Sequence, residues 1–414
     1  MSRFTSALSE MRSLAMEQAT PYYAQVDQVA EHNTAKVLDS FRACQVSDYH
    51  FRSTSGYGYN DSGRDKLDEV YAQLFGAEKA LVRSHFVSGT HALAAALFGV
   101  LRPGDELVSV TGAPYDTMQS VIGHPQVTPG SLCEWGICYK EVAMGHAGVN
   151  YDGIRNTITD KTKLALIQRS RGYSMDRPSL LVQEIANICS LIKTINPNCI
   201  CFVDNCYGEF VEISEPTAVG ADLMAGSLIK NPGGGLAPAG GYIAGRAELV
   251  DLASYRLTAP GIGSHVGATL FDNRILYQGL FFAPHVVAQA VKGAIFAASL
   301  FSLLGYLTTP SYQDVRTDII QAIELGSTEK MIAFCQGLQA YSPVDAFVRP
   351  VPGAMPGYVD QVIMAGGTFI QGSSIELSAD GPLRDPYCIY LQGGLTFEHA
   401  ILGVMGAAAA ISEK

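Results

Sequence analysis

Lys230 closes the short apolar run Ser227-Leu228-Ile229 and is followed at once by a glycine-rich loop, NPGGGLAPAGG. A single lysine between apolar residues and glycines does not belong to a solvated charge face. Desolvation there would lower its pKa and make the amine a usable partner for a carbonyl. The alternative is a strand-end lysine in a turn. Ser227 is placed to face the same site and offer a hydroxyl to an anion, while the glycines let backbone approach a ligand closely.

Asp204 ends the very apolar segment CICFVDN. In open parallel sheets ligands sit beyond the carboxyl ends of the strands. A carboxylate behind a buried strand is costly unless paired. Asp-Asn is also good turn chemistry, so a cap or turn role stays open. Ser88-Gly89-Thr90 precedes the helix-like HALAAALFGVL. A small turn opening a helix offers free N–H groups and the positive dipole end to an anion, and also serves as an ordinary N-cap. Tyr115, in TGAPYDT, could stack on a flat ligand or simply be half-buried. In this order the features fit one flat, phosphorylated aldehyde, pyridoxal 5'-phosphate. There is a helix start for phosphate, a ring for stacking, a carboxylate for the pyridinium nitrogen and a lysine for the imine.

The elements that must position these residues alternate. ALVRSHF, ELVSVTG, LALIQRS and CICFVDN read as strands, with helices at DKLDEVYAQLF, THALAAALFGVL and SLLVQEIANICSLIKTIN. Apolar strands alternating with helices predict an α/β fold with a mainly parallel sheet covered on both faces. The expected organisation is a helical segment over residues 1–50, a large cofactor-binding domain over 51–309 and a small α+β domain over 310–414. In the last, helices are expected at DVRTDIIQAIELG and STEKMIAFCQGLQAYS, with β-like segments at FVRPV, DQVIMAG, SSIELSA and CIYLQGG.

Only 16% of the 414 residues are charged and 48% are hydrophobic. That shortage of charge suggests surface buried in a homo-oligomer. The net charge of −11 offers no basic field for nucleic acid or anionic lipid. The opening MSRFTSALSEMRSLAMEQ reads as an amphipathic helix without the apolar core and cleavage site of a secretory leader. The apolar stretch 281–304 is broken by His285, Gln289 and Lys292, which favours a buried or subunit-facing helix over a membrane span. The nine cysteines include no C-x-x-C pair and read as small buried thiols in a reducing cytoplasm, with no metal site expected.

The order of SGT, Tyr115, Asp204 and Ser227-x-x-Lys230 resembles fold-type-I pyridoxal-phosphate enzymes (the aspartate-aminotransferase fold) of the Cys/Met-metabolism branch. STSGYGYNDSGRDKLDEVYA, IQRSRGYS, FVDNCYGEF and SLIKNPGGGLAPAGGYIAG resemble a methionine gamma-lyase-like family of carbon–sulfur lyases linked to aluminium resistance. The resemblance implies Lys230 as the Schiff-base lysine, Asp204 as the ring-nitrogen partner and Tyr115 as the stacking ring. It implies Ser88, Gly89, Thr90 and Ser227 as phosphate ligands. Better-known lyases supply a Tyr-x-Arg from a neighbouring subunit to the phosphate. Here that stretch is Tyr57-Gly58-Tyr59, so the arginine's role is lost or transferred, while Tyr57 and Tyr59 remain candidates to reach across a subunit boundary in a dimer of dimers.

Gln168, Arg169 and Arg171 end a buried strand, where the arginines could bind a substrate carboxylate or phosphate, or pair with acids. Arg384, in DGPLRDPYC, is where related enzymes place an arginine for the amino acid's α-carboxylate, a task suited to a guanidinium fork. Its other reading is an ion pair with Asp380 or Asp385. His265, in LTAPGIGSHVG, is a candidate for a subunit-facing loop. The resulting expectation is elimination of a thiol from a sulfur amino acid, as by a cystathionine beta-lyase or methionine gamma-lyase. Transamination is the alternative on the same scaffold. A nucleotide-binding or non-catalytic protein is disfavoured by the absence of G-x-G-x-x-G after an early strand and of P-loop spacing.

Overall fold

The computed structural model describes residues 4–145, 148–175, 177–355 and 358–412. A 38-residue helix, α1 (Ser6–Ala43), opens the chain and continues through Pro21. Then follow α2 (Ser62–Phe75), β1 (Lys79–Arg83), α3 (Gly89–Val100), β2 (Glu106–Ser109), α4 (Asp116–Ile122), β3 (Cys138–Glu141) and α5 (Tyr151–Thr157). Next come β4 (Thr162–Gln168), α6 (Val182–Ile195), β5 (Ile200–Asp204), β6 (Leu223–Ser227), β7 (Gly241–Gly245), α7 (Ala247–Leu257) and the long α8 (Arg274–Leu303).

These strands form one sheet in the order β1-β7-β6-β5-β4-β2-β3. Only β7 runs antiparallel to its neighbours. The apolar runs are continuous because both faces are covered. Leu81, Leu107, Leu166 and Phe202 pack on one side, and Val82, Val108, Ile167 and Val203 on the other. Each such buried side chain contributes roughly 1.5–3 kcal/mol of transfer free energy, so the sheet is the rigid base of the molecule. Its parallel strands end together, which brings Asp204 and the residues after Gln168 to one edge.

The remainder is a five-stranded antiparallel sheet, ordered β10-β11-β12-β9-β8, backed by two helices. Its elements are β8 (Leu307–Thr309), β9 (Gln321–Glu324), α9 (Thr328–Gln339), β10 (Val362–Ala365), β11 (Ser378–Pro382), β12 (Cys388–Gln392) and α10 (Phe397–Ser412). Helix α8 is apolar and long enough to cross a membrane, but most of its apolar window is buried within the fold.

Three local expectations fail here. DVRTDIIQAIELG is not a helix but a loop leading into β9. Its helix-like period is overridden by long-range bonds, since Thr317 and Asp318 are tied to Arg169, Ser170 and Ser179. FVRPV forms no strand. SSIELSA becomes strand only at Ser378, because Glu376 accepts the N–H groups of Phe369 and Ile370 and folds the preceding chain into a loop.

Candidate active site

The carboxyl edge of the large sheet faces β11 and β12 of the small one across a cavity of about 430 Å³. Ser88, Gly89, Thr90, Tyr115, Asp204, Ser227 and Lys230 all line it. The structure thus brings together seven residues singled out from four separate segments of sequence.

Ser88 caps α3, its hydroxyl accepting the His91 N–H at 3.1 Å. The N–H groups of the first turn beyond it lack intrahelical partners. A side chain on Gly89 would put its Cβ 3.2 Å from the Ser227 Cβ and 3.4 Å from the Cys206 Sγ. Glycine keeps this corner open. The buried Ser227 hydroxyl has no hydrogen-bond partner among the described residues, an omission worth about 1–3 kcal/mol unless a ligand supplies one. The Tyr115 and Thr90 hydroxyls are 3.0 Å apart, and the Tyr115 N–H donates to Gln168 Oε1 at 2.9 Å. Gln168 therefore positions Tyr115.

Asp204 accepts the Cys206 N–H at 3.1 Å. Burial pushes its carboxyl above the ordinary range, against the opposing pull of Lys230, Cys206 and Arg177. Lys230 departs from the amine expected from sequence. Burial alone draws its pKa down, but the acidic groups of Cys206, Tyr207 and Asp204 outweigh burial and hold it well above the usual lysine value. The cause is that Lys230 is ringed by acids rather than by apolar side chains.

Other candidates lie outside the cavity. Arg169 is fully buried and bonds Asn205, Glu212 and Thr317, with Glu215 at 3.5 Å. It is a structural ion-pair hub, and a Cβ on Gly208 would stand 2.5 Å from its side chain. Arg171 and Arg384 line an adjoining cleft of about 610 Å³ that shares Tyr115, Gln168, Gly172 and Tyr173 with the cavity. Arg384 pairs with Asp360 at 3.2 Å, not with Asp380 or Asp385. Arg171 donates to Thr309 at 3.3 Å, leaving Nε and Nη1 buried and unpaired among the described residues.

Tyr57 and Tyr59 stack on each other at 5.3 Å and remain 72% and 65% exposed, away from this chain's own cavity. Their loop is fixed from beneath, where Arg64 donates to the carbonyls of Gly58 and Gly267. His265 is exposed in a short 3-10 turn.

Sequence reasoning missed five contributors. Tyr207 underlies the amine, with Lys230 Nζ 3.6 Å from its ring centroid. Arg177 holds the Gln168 and Ala113 carbonyls, and burial lowers its pKa to about 10. Asp380, Tyr173 and Gln392 line the same cavity, Gln392 Nε2 donating to Asp380 Oδ2 at 3.2 Å. Tyr207 was within reach, since FVDNCYGEF already stood out as a string.

A parallel sheet with one reversed strand, carrying a lysine, a carboxylate and a helix start at one edge, defines the fold of pyridoxal-phosphate-dependent lyases. The methionine gamma-lyase family model matches residues 8–412. The chain is 52% identical over 394 residues to the uncharacterized protein YnbB of Bacillus subtilis, covering 95% of this chain and 93% of that one. A solved structure from Listeria monocytogenes, described as a candidate cystathionine beta-lyase involved in aluminum resistance, is 52% identical with a TM-score of 0.94, covering 97% of this chain and 100% of that one. A carbon–sulfur lyase involved in aluminum resistance from Clostridium novyi is 49% identical with a TM-score of 0.94, covering 98% and 96%. This chain belongs to the methionine gamma-lyase family and is a carbon–sulfur lyase of the fold-type-I class.

Proposed function

We propose that the protein holds pyridoxal 5'-phosphate in this cavity and eliminates a thiol from a sulfur amino acid. The observation that carries the reading is the Ser227 hydroxyl, without a partner among the described residues, beside the start of α3 in the same cavity as Lys230 and Asp204. An anion at that corner would meet free N–H groups, a hydroxyl and the positive end of a helix. The cofactor, once bound, supplies an aldehyde for amines and a ring that accepts electrons from the substrate's α-carbon.

The chain's own residues do the rest. Lys230 would hold the cofactor's aldehyde, and its free amine would take the proton from the substrate α-carbon as general base. Asp204, buried at the end of β5, would keep the ring nitrogen protonated. Thr90 and Gln168 fix Tyr115 as the stacking ring. The Cα–H electron pair would end in a carbon–carbon double bond as the C–S bond breaks, and the thiolate would leave with the proton that Lys230 had taken. Arg171 and Arg384 in the adjoining cleft are the guanidinium candidates for the substrate carboxylate.

The working form in this reading is a homo-oligomer, a dimer of dimers, with the rigid, exposed Tyr57–Tyr59 pair entering a neighbour's site. The cysteines form no disulfide among the described residues, which suits a reducing cytoplasm. Purified protein should be yellow, and borohydride reduction followed by peptide mapping should put the label on Lys230. Cystathionine, methionine and cysteine are then assayed for ammonia, keto acid and free thiol together. Label on another lysine, or keto acid formed only with an added amino acceptor and no thiol, overturns the reading.

A further inference from the structure

Between α1 and α8 lies a separate cavity of about 80 Å³. It shares no lining residue with the cavity around Lys230 or with the adjoining cleft. Val26 and Val29 of α1 wall it on one side, and Val287, Val291 and Ile295 of α8 on the other. The exposed Gln25, Gln313 and Asp314 line it as well.

The cation at this cavity is Arg316, which is only 7% exposed. Its Nη2 donates to Gln321 Oε1 at 2.5 Å and to the Ala294 carbonyl at 3.5 Å. Its Nε and Nη1 are buried and have no partner among the described residues. No carboxylate among those residues forms an ion pair with it. Two acids act on it from farther off, and both are committed elsewhere. Asp318 accepts the Ser170 and Ser179 hydroxyls and the Ile320 N–H. Asp314 accepts the Ser311 N–H at 2.7 Å and is exposed to solvent. Arg171 adds a like charge. Burial brings the Arg316 guanidinium down to about 10, so it is still charged at neutral pH.

A buried cation with unspent donors and no counter-ion is costly, and an anion relieves that cost. The valine and isoleucine walls suit an alkyl stem better than a bare inorganic ion. One water needs about 10–15 Å³ of such space, so the cavity has room for roughly six non-hydrogen atoms.

We infer that the cavity between α1 and α8 binds a short-chain aliphatic carboxylate, with its head on Arg316 and its stem along the valines.

The probes are butyrate and butyramide, which match in length and differ in charge. In calorimetric titration the parent holoenzyme should bind butyrate more tightly by roughly tenfold to a hundredfold, the range of a hydrogen bond to a charged group. Arg316→Met should abolish butyrate binding. Val29→Phe, which fills the cavity from α1 and leaves Arg316 in place, should abolish it too, and decides the matter if the methionine variant does not fold. The cofactor's absorbance should stay unchanged throughout the parent's titration. A shift in it would put butyrate beside Lys230 and overturn the assignment. Equal affinity of the parent for both probes, or butyrate binding that either variant retains, overturns it as well.

Discussion

Lys230 Nζ stands 3.6 Å from the centroid of the Tyr207 ring, and Tyr207 adopts a left-handed φ of +74°. A non-glycine residue in that region carries about 1–3 kcal/mol of backbone strain. The strain sits three residues beyond Asp204, where the chain must turn sharply to lay the ring under the amine. The ring face attracts the ammonium and leaves its donors free to point into the cavity.

Tyr207→Phe keeps that face, and Tyr207→Leu removes it. Cation–π contacts run from about 0.5 to 2 kcal/mol, so the leucine variant should lose roughly twofold to thirtyfold in kcat/KM. The phenylalanine variant should stay within about threefold of the parent. Circular dichroism should be unchanged for both. Equal losses would mean that the hydroxyl, not the ring, is what Lys230 requires.

Asp204→Asn addresses the ring nitrogen. The amide keeps the shape and can still accept the Cys206 N–H, so the fold and cofactor binding should survive. It no longer favours a protonated nitrogen, and kcat should fall by roughly a hundredfold or more, the scale of losing an oriented electrostatic partner. A variant that turns over at the parent's rate would leave Asp204 as a turn former.

These residues were legible for a local reason. Asp204 ends a wholly apolar strand, Lys230 precedes a glycine run, and Ser88-Gly89-Thr90 opens a helix, so each declares itself within a few residues. Asp380 and Gln392 were not legible. Alone, Asp-Gly-Pro is a turn signal and Tyr-Leu-Gln is a strand, and only the pairing of β11 with β12 makes them one wall. Arg384 was singled out for its place in sequence, and its pairing with Asp360 in the adjoining cleft became visible only in the fold. The segment before β9 misled because Arg169 and Ser170 decide its shape from 148 residues away.

Arg169 should be a stability residue. It is completely buried and ties Asn205, Glu212 and Thr317 to the sheet edge, with Glu215 close by. Removing one partner of a buried ion pair typically costs about 3–5 kcal/mol. Arg169→Met should therefore lower the urea midpoint markedly. Any fraction that folds should still show the cofactor's absorbance. A change in KM with unaltered stability would return Arg169 to the substrate site.

Glu209 sets a pH dependence. It is fully buried and accepts the Tyr242 hydroxyl at 2.7 Å, with its other oxygen unpaired among the described residues. Burial, reinforced by Glu215, lifts its pKa to about 8. The folded chain therefore keeps this proton where the unfolded chain, titrating at about 4.3, has lost it. Its penalty is absent below the unfolded value, grows as pH rises towards 8, and is constant above. The slope in that window is about 1.4 kcal/mol per pH unit. Glu209→Gln should flatten the fall in stability between pH 5 and 8 relative to the parent. Parallel denaturation profiles for the two proteins would contradict the assignment.

The Tyr57–Tyr59 loop offers the strictest test of a shared site. Both rings are exposed, yet their backbone is pinned by Arg64 and by the Gly267 N–H donating to the Tyr57 carbonyl at 2.9 Å. A Cβ on Gly58 would stand 2.6 Å from Ala268, so the turn admits little else. Ordering two aromatic rings in water gains nothing unless they dock elsewhere, and a symmetric dimer would place each pair in the partner's site. A Tyr57→Ala/Tyr59→Ala chain and a Lys230→Ala chain should each be nearly inactive alone. Refolded together in equal amounts, half of the dimers are mixed, and each mixed dimer holds one site free of both defects. Activity should return to about a quarter of the parent's, as random pairing in a two-fold assembly requires. If the tyrosines act within their own chain, every site keeps one defect and mixing restores nothing.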